Sequence, residues 1–476
     1  MARVLVVGGG PAGLAAAERL LDLGQGRIEL TLLNERAYLG GKAASWELAD
    51  GRVLENGQHI TMGFYRELPA LLARAGVDHR ATSVSNGGHF TIWEDRDRRA
   101  HHLHLGPSTL GTLVDGLRYT GWTLREKIGF AALLVRLAPR VLAGVPEDWD
   151  DLCLTALCTE QGLPASIFAT NAFRATRDAQ LNWPGEISAY AMLKTIQRAG
   201  RDYLTSEARF PAGGMSRLWW EPVARRIEAL GGTIQRGRRL VALEGEGHRL
   251  RGLLVGAADC PAHDDEPCHA ADVVAMRDFD AVILAIPPAA LAVVLARSPG
   301  LEAHPALAGC ARLRPVAPLG LHVWHRRMAH PEHRTVVLGL PPPLEFCVDN
   351  KPNYAEYRDD PRFGACLHFV GQETGFEGLE GPALLDLAMA GLRRVRGYEH
   401  LDDAGILDWR VVRNRLPHQR YWNAEPGSLR HKPWPKGPLE GLWLAGDWIR
   451  SELDFPSMES AVHSGRTTAE AVLAAL

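Results

Sequence analysis

At 476 residues, 46% of them hydrophobic and 23% charged, the chain has material for two or three domains and the composition of a soluble globular protein. A formal net charge of −3 with no long basic run argues against a nucleic-acid partner. Seven scattered cysteines, an odd number, argue against a disulfide framework and for a reducing compartment, so a cytoplasmic location is expected. The sequence enters a strand pattern at Arg3, and no signal peptide is expected.

Arg3 to Val7 is a short valine-rich apolar run, the pattern of a parallel strand buried on both faces. Gly8, Gly10 and Gly13 follow with G-x-G-x-x-G spacing, and Ala12 to Leu23 reads as a helix with Leu14, Ala17, Leu20 and Leu21 on one face. Gly8 permits the tight turn, Gly10 lets a pyrophosphate approach the backbone, and Gly13 lets helix and strand pack closely. Pro11 and Ala12 open the helix, whose free N–H groups and positive dipole end suit phosphate. A second apolar run, Ile28 to Leu33, leads to Glu35, where a ribose-binding carboxylate belongs. This strand–turn–helix–strand unit is a Rossmann-like α/β dinucleotide fold, and the motif alone does not choose between NAD and FAD.

Arg36 and Gly40-Gly41-Lys42 add a second glycine pair with cations, able to meet a pyrophosphate from its other side. The stretch resembles the E-x-R-x-x-x-G-G segment of the flavin amine oxidase and carotenoid desaturase superfamily, and the resemblance implies FAD. Glu55-Asn-Gly-Gln-His59 and Gly63-Phe-Tyr65 combine small residues with aromatics, and His59 is placed either in the flavin pocket or as a backbone-bonded histidine. Pro69 to Ala75 reads as a helix closing the first cofactor section.

From about Val84 the pattern changes. Phe90–Trp93 and His101–Leu105 read as strands, followed by helices from Leu110. His101, His102 and His104 invite a metal reading, but no acid or cysteine nearby in sequence completes it, and an exposed strand face is expected. No segment reaches the ~20 apolar residues of a membrane span. Ile128 to Leu142, interrupted by Arg136 and Arg140, suits either a buried helix or one lying on a membrane surface.

Phe210 to Leu218 carries a Gly-Gly turn into a helix from Ser216 to Leu230, and Arg239–Leu243 reads as a strand. The insert at 257–279 holds Cys260, His263, Cys268 and His269; it lacks the paired C-x2-C half of common zinc sites and is expected to be a surface hairpin. Asp280–Ala285, Leu319–Trp324, Gly364–Val370 and Asp408–Val412 read as strands, and Leu384–Arg396 as a helix with basic residues in its last turn. Gly441 to Asp447 is a strand ending in a carboxylate suited to a ribityl hydroxyl. The helix opened by Pro456-Ser457-Met458 would present its N-terminus to a flavin ring.

These stretches together resemble the plant- and cyanobacteria-type phytoene and ζ-carotene desaturases, with hydroxysqualene dehydroxylases and flavin amine oxidases as wider relatives. The carrying residues are Gly8–Gly13, Leu39–Trp46, Leu181–Glu186, Arg217-Leu218, Leu321–Trp324 and Leu442 to Gly465. The resemblance implies a discontinuous FAD-binding domain (1–83, 205–300, 425–476) with an inserted α+β substrate domain (84–204, 301–424). It places FAD against Gly8, Gly10, Pro11, Ala12, Gly13, Glu35, Arg36, Gly40, Gly41, Lys42, Val241 (through its backbone, at the adenine), Gly446, Asp447, Ser457 and Met458. It also places Arg217 near the flavin as a positioning group, with His59 as a further candidate for proton handling.

The activity implied is removal of a hydride from an apolar, isoprenoid or carotenoid-like substrate to flavin N5, with a quinone or oxygen as acceptor and peripheral membrane contact. The alternative is an amine or specialised-metabolite oxidase. Many amine oxidases carry a lysine in the strand corresponding to 313–324, and here there are Arg312 and Arg314 but no lysine. A non-catalytic FAD-holding protein ranks last.

Overall fold

The structure is a computed structural model that describes residues 1–104, 109–174, 186–201, 207–259, 269–301, 304–329 and 336–476. Its first strand, Ala2–Val7, lies inside a five-stranded parallel sheet in the order Thr233–Arg236, Ile28–Asn34, Ala2–Val7, Ala281–Leu284, Leu442–Leu444. Alternate side chains of one strand enter two different cores, because the pleat has a period of two. Val4 and Val6 meet the helices Pro11–Gly24, Glu221–Ala229 and Met458–Ala475. Leu5 and Val7 meet a three-stranded antiparallel sheet built from Arg238–Glu246, Arg249–Asp259 and His269–Met276. Both faces are covered, which is why the strand reads as an unbroken apolar run.

A second sheet of seven strands runs Ile406–Arg413, Pro318–His325, Ala365–Gln372, Leu344–Asp349, Val336–Leu338, His89–Glu94, Arg99–His104. All its pairings are antiparallel except that of Val336–Leu338 with His89–Glu94. Leu321, Val323, Leu367 and Phe369 pack on the helix Gly381–Leu392. The intervening Trp324 and Cys366 instead meet the small hairpin Ser45–Glu47/Val53–Glu55. A helical block that includes Leu124–Ala143, Leu154–Glu160 and Ala189–Arg201 has its own core.

Four details bear on the sequence reading, and the first two depart from it. The helix Gly381–Leu392 stops before the basic residues expected in its last turn, and Arg393 turns to the Leu401 carbonyl and Asp403. Carboxylates do reach the histidine strand, but singly: His101 bonds Asp97, His104 bonds Asp115, and His102 bonds Thr91. The helix Leu124–Ala143 buries one face and exposes another. Leu133, Leu137 and Val141 are buried, while Leu124, Ile128, Val135 and Leu142 are exposed. The insert forms the hairpin Arg249–Asp259/His269–Met276, and Cys260, His263 and Cys268 lie outside the described residues, as does most of Leu181–Glu186.

Candidate functional site: a dinucleotide cavity

Gly8, at the end of the first strand, has φ +110° and rests on the Ala285 carbonyl, a conformation and an approach that a side chain would prevent. A Cβ on Gly13 would overlap the Gly8 carbonyl oxygen, so this residue sets the contact of helix with strand. A Cβ on Gly10 would meet only Gly41 Cα and Gly40 O, at 3.8 and 4.0 Å, across open space. Gly10 begins the helix without a side-chain cap, and Pro11 occupies its first turn. The leading amides are therefore directed at a cavity instead of at a side chain.

That cavity, open to solvent, takes in about 1150 Å³. Gly8, Gly10, Pro11, Ala12, Glu35 and Arg36 line it from the first βαβ segment. Gly41, Lys42, Val241, Gly446 and Asp447 close it from three further segments. Gly13 and Gly40 stand behind the wall, Gly40 tied to it by its N–H to the Gly9 carbonyl at 2.9 Å. At one end Glu35 lies 3.5 Å from Arg239 and 3.8 Å from His418 Nδ1. Arg36 can only donate, so its 3.1 Å contact makes His418 Nε2 the acceptor and leaves the ring proton on Nδ1, facing Glu35. Burial lowers the His418 pKa to about 4, so the ring is neutral there. At the other end Lys42 Nζ sits 3.3 Å from Asp447 and 5.2 Å from the Tyr421 ring centroid. Carboxylates at both ends and the cations Arg36, Lys42, Arg238, Arg239 and Arg297 along the wall suit two sugar-type hydroxyl groups joined by a diphosphate.

Other expected residues lie elsewhere. Ser457 is the N-cap of the closing helix, its hydroxyl accepting from Ser460 N at 3.0 Å, and Met458 is buried; of that helix it is Ala461 that lines the cavity. His59 stands outside the cavity wall with Nδ1 2.7 Å from the Gly57 carbonyl, which fixes the proton on Nδ1 and leaves Nε2 as a lone pair. Burial lowers its pKa to about 4, with the Lys42 charge adding to the effect. Arg217 does not line the cavity. Its side chain is 57% exposed and pairs with Glu356 and, at 3.5 Å, with Glu47.

Sequence reasoning passed over several groups that build the site. Asn34 accepts the Gly9 N–H at 3.0 Å and donates to the Arg36 and Tyr38 carbonyls, holding the glycine turn to the second strand. Pro417 and His418, read as part of the substrate half, line the cofactor cavity. Glu459, beside Met458, accepts the backbone N–H groups of Arg66, Glu67 and Leu68 at 2.6–3.0 Å and so caps the helix Glu67–Arg74. Only Asn34 carried a local signal, by standing at the strand end just before Glu35.

The sequence profile of the flavin containing amine oxidoreductase family matches residues 11–473. The chain belongs to this family. Its cofactor is FAD, and the cavity fits it: the glycine turn, the helix N-terminus and the two terminal carboxylates are all in place. Among curated relatives it is 26% identical to the 15-cis-phytoene desaturase of Glycine max over 482 residues, which is 99% of this chain and 79% of that one. It is 24% identical to the 15-cis-phytoene desaturase of Synechococcus elongatus over 491 residues, 99% of this chain and 96% of that one. A zeta-carotene desaturase of a Synechocystis species is 38% identical over 93 residues, 18% of each chain. Among solved structures, putrescine oxidase bound to putrescine has a TM-score of 0.70 at 16% identity, covering 99% of both chains. An oxidoreductase from Methanosarcina mazei has a TM-score of 0.70 at 17% identity, covering 98% of this chain and all of that one. The fold is that of the FAD-dependent amine oxidoreductases, and the chain is a flavin oxidoreductase.

Proposed function

We propose that this family member is a C–C dehydrogenase that takes a hydride from an apolar, isoprenoid or carotenoid-like substrate. The observation that carries the reading is the match with 15-cis-phytoene desaturases over 99% of the chain. FAD, when bound, supplies the hydride acceptor at flavin N5. The chain's own residues have four tasks. Gly10 and the helix N-terminus hold the diphosphate, Glu35 and Asp447 hold hydroxyl groups, and Lys42 balances the Asp447 charge. His59 presents a bare Nε2 to receive the proton that leaves the adjacent carbon, as a weak base, since burial lowers its pKa to about 4. A quinone or oxygen would be the terminal acceptor.

The exposed face of Leu124–Ala143 supports substrate delivery from a membrane surface. Leu124, Ile128, Val135 and Leu142 are exposed there, Val135 to 76%, beside the exposed Arg125, Arg136 and Arg140. Apolar side chains flanked by arginines suit an anionic lipid surface. The five described cysteines are free thiols, in keeping with a cytoplasmic location.

The test is anaerobic bleaching of the purified flavoprotein by polyenes in anionic liposomes and by a panel of soluble amines. Bleaching by the liposomal polyenes alone is expected, slowed severalfold in Ile128→Glu/Val135→Glu. Bleaching by an amine alone would overturn the proposal.

A further inference from the structure

Where the seven-stranded sheet meets the hairpin Ser45–Glu47/Val53–Glu55 lies a buried polar cluster that the proposed chemistry does not use. Strand register sets His322 opposite His368, and their rings stack with centroids 3.9 Å apart. Gln58 Oε1 accepts from Asn350 Nδ2 at 2.8 Å and from His368 Nδ1 at 3.2 Å, so His368 carries its proton on Nδ1 and presents a bare Nε2. Glu55, at the end of the small hairpin, is fully enclosed; its carboxyl lies 3.9 Å from His368 and against the Tyr354 phenol. Both Glu55 carboxyl oxygens, Gln58 Nε2, Asn350 Oδ1, Tyr354 Oη and His368 Nε2 lack a properly formed hydrogen bond. A cavity beside His322, Asn350, Tyr354 and His368 has room for about one water molecule.

A stabilising core would not be built this way. Each buried polar atom without a partner costs roughly 1–3 kcal/mol, and an apolar layer of the same shape would avoid it. The position gives the cluster a use. Asn56, next to Glu55, donates to the Gly41 carbonyl at 2.9 Å, and Gly41 lines the dinucleotide cavity. The Lys42 charge, from the same wall, reaches His59.

We propose that Glu55, set directly against His368 and Tyr354, is a redox-linked proton site, which binds a proton from solvent when a flavin bound in the cavity beyond Asn56 gains negative charge. The change is one O–H bond formed on the Glu55 carboxylate; the proton comes from water, and no electron enters the cluster. The inference rests on FAD alone and is independent of which substrate is oxidised.

The electrostatics give the sign. Burial raises the Glu55 pKa to about 8; the Tyr354 hydroxyl lowers it and the Glu356 carboxylate raises it. Glu356 is itself held by Arg217. His322, His368 and His59 are all pushed down by burial and remain neutral, and Tyr357 and Cys366 are pushed up and remain protonated. Near pH 8 the carboxyl is therefore part-ionised, and added negative charge nearby drives it to the protonated form. Well below pH 8 it is protonated throughout and takes up nothing.

The experiment is anaerobic photoreduction of the FAD-loaded protein in unbuffered solution with a pH indicator, from about pH 6 to about pH 10. Wild type is expected to take up a substantial fraction of a proton more per flavin than Glu55→Gln just above pH 8, with the two equal near pH 6. Tyr354→Phe, which removes a group that lowers the Glu55 pKa, is expected to move this window to higher pH. Superimposable uptake curves for wild type and Glu55→Gln would overturn the proposal. Should Glu55→Gln not retain FAD, an unmoved window in Tyr354→Phe would overturn it equally.

Discussion

Gly10 and Gly13 belong to one turn, yet a methyl group added to each meets opposite surroundings. At Gly13 it would overlap the Gly8 carbonyl oxygen and press on Ala285, both parts of the sheet that cannot move independently. At Gly10 it would stand in the cavity with nothing nearer than 3.8 Å. The first residue therefore serves the fold and the second serves the ligand. Gly13→Ala is expected to lower the stability of the cofactor-free protein by about 1–3 kcal/mol, the usual cost of overpacking. Gly10→Ala is expected to leave that stability within ~0.5 kcal/mol, as surface changes do, and yet to purify without its yellow colour. Melting curves and flavin absorbance together check both, and a destabilised, flavin-loaded Gly10→Ala would contradict the assignment. At the same scale stands Arg217, which the family resemblance set near the flavin. It is held at the surface by Glu356 and Glu47.

Among elements, the helix Glu67–Arg74 depends on a residue distant in the chain. Its first backbone N–H groups have no side-chain cap of their own and are satisfied by Glu459, in the first turn of the closing helix. Two helices are thereby tied end to end through one buried carboxylate, which is also within 3.6 Å of Arg198. Glu459→Ala is expected to destabilise the protein by roughly 1–3 kcal/mol, since it orphans buried donors, and to raise amide exchange selectively in residues 66–74. Unchanged exchange there would remove the cap from the account. This bond was not legible in the sequence, whereas both helices were. Apolar periodicity marks a helix locally, but a cap supplied from 391–393 positions away leaves no local trace. The same distinction separates the five-stranded sheet, visible as short apolar runs, from the Asn34, His418 and Arg239 contacts that furnish its cavity. Glu55 stood in plain view within Glu55–His59, but its burial against His368 needed the register of two strands far along the chain.

At the scale of the whole molecule, the glycine turn and the closing Gly446-Asp447 pair were readable because a dinucleotide demands backbone close to phosphate wherever it binds. What sequence did not show is how many distant segments meet there. Gly8 to Ala12, Glu35-Arg36, Gly41-Lys42, Val241, Ile286-Pro287, His418 and Gly446-Asp447 enclose one volume, yet span most of the chain. FAD bound in that volume would be held by these segments together and would act as a common strut. Because it binds the folded state and not the unfolded one, it stabilises by mass action, by about 4 kcal/mol at a thousandfold excess over its dissociation constant. Removing it should lower the melting temperature, and adding FAD back should restore it in a concentration-dependent way. The order of loosening is the more specific expectation. Lys42 and Asp447 carry neighbouring opposite charges across the cavity mouth and can hold each other in the absence of FAD. The His418 loop meets Glu35 and Arg36 through contacts of 3.1–3.8 Å. Limited proteolysis of the FAD-free protein should therefore cut first near residues 415–421 and be suppressed by FAD. Early cleavage near Gly446 with an intact His418 loop would show that the Lys42–Asp447 pair, and not the adenine end, is what the cofactor chiefly secures.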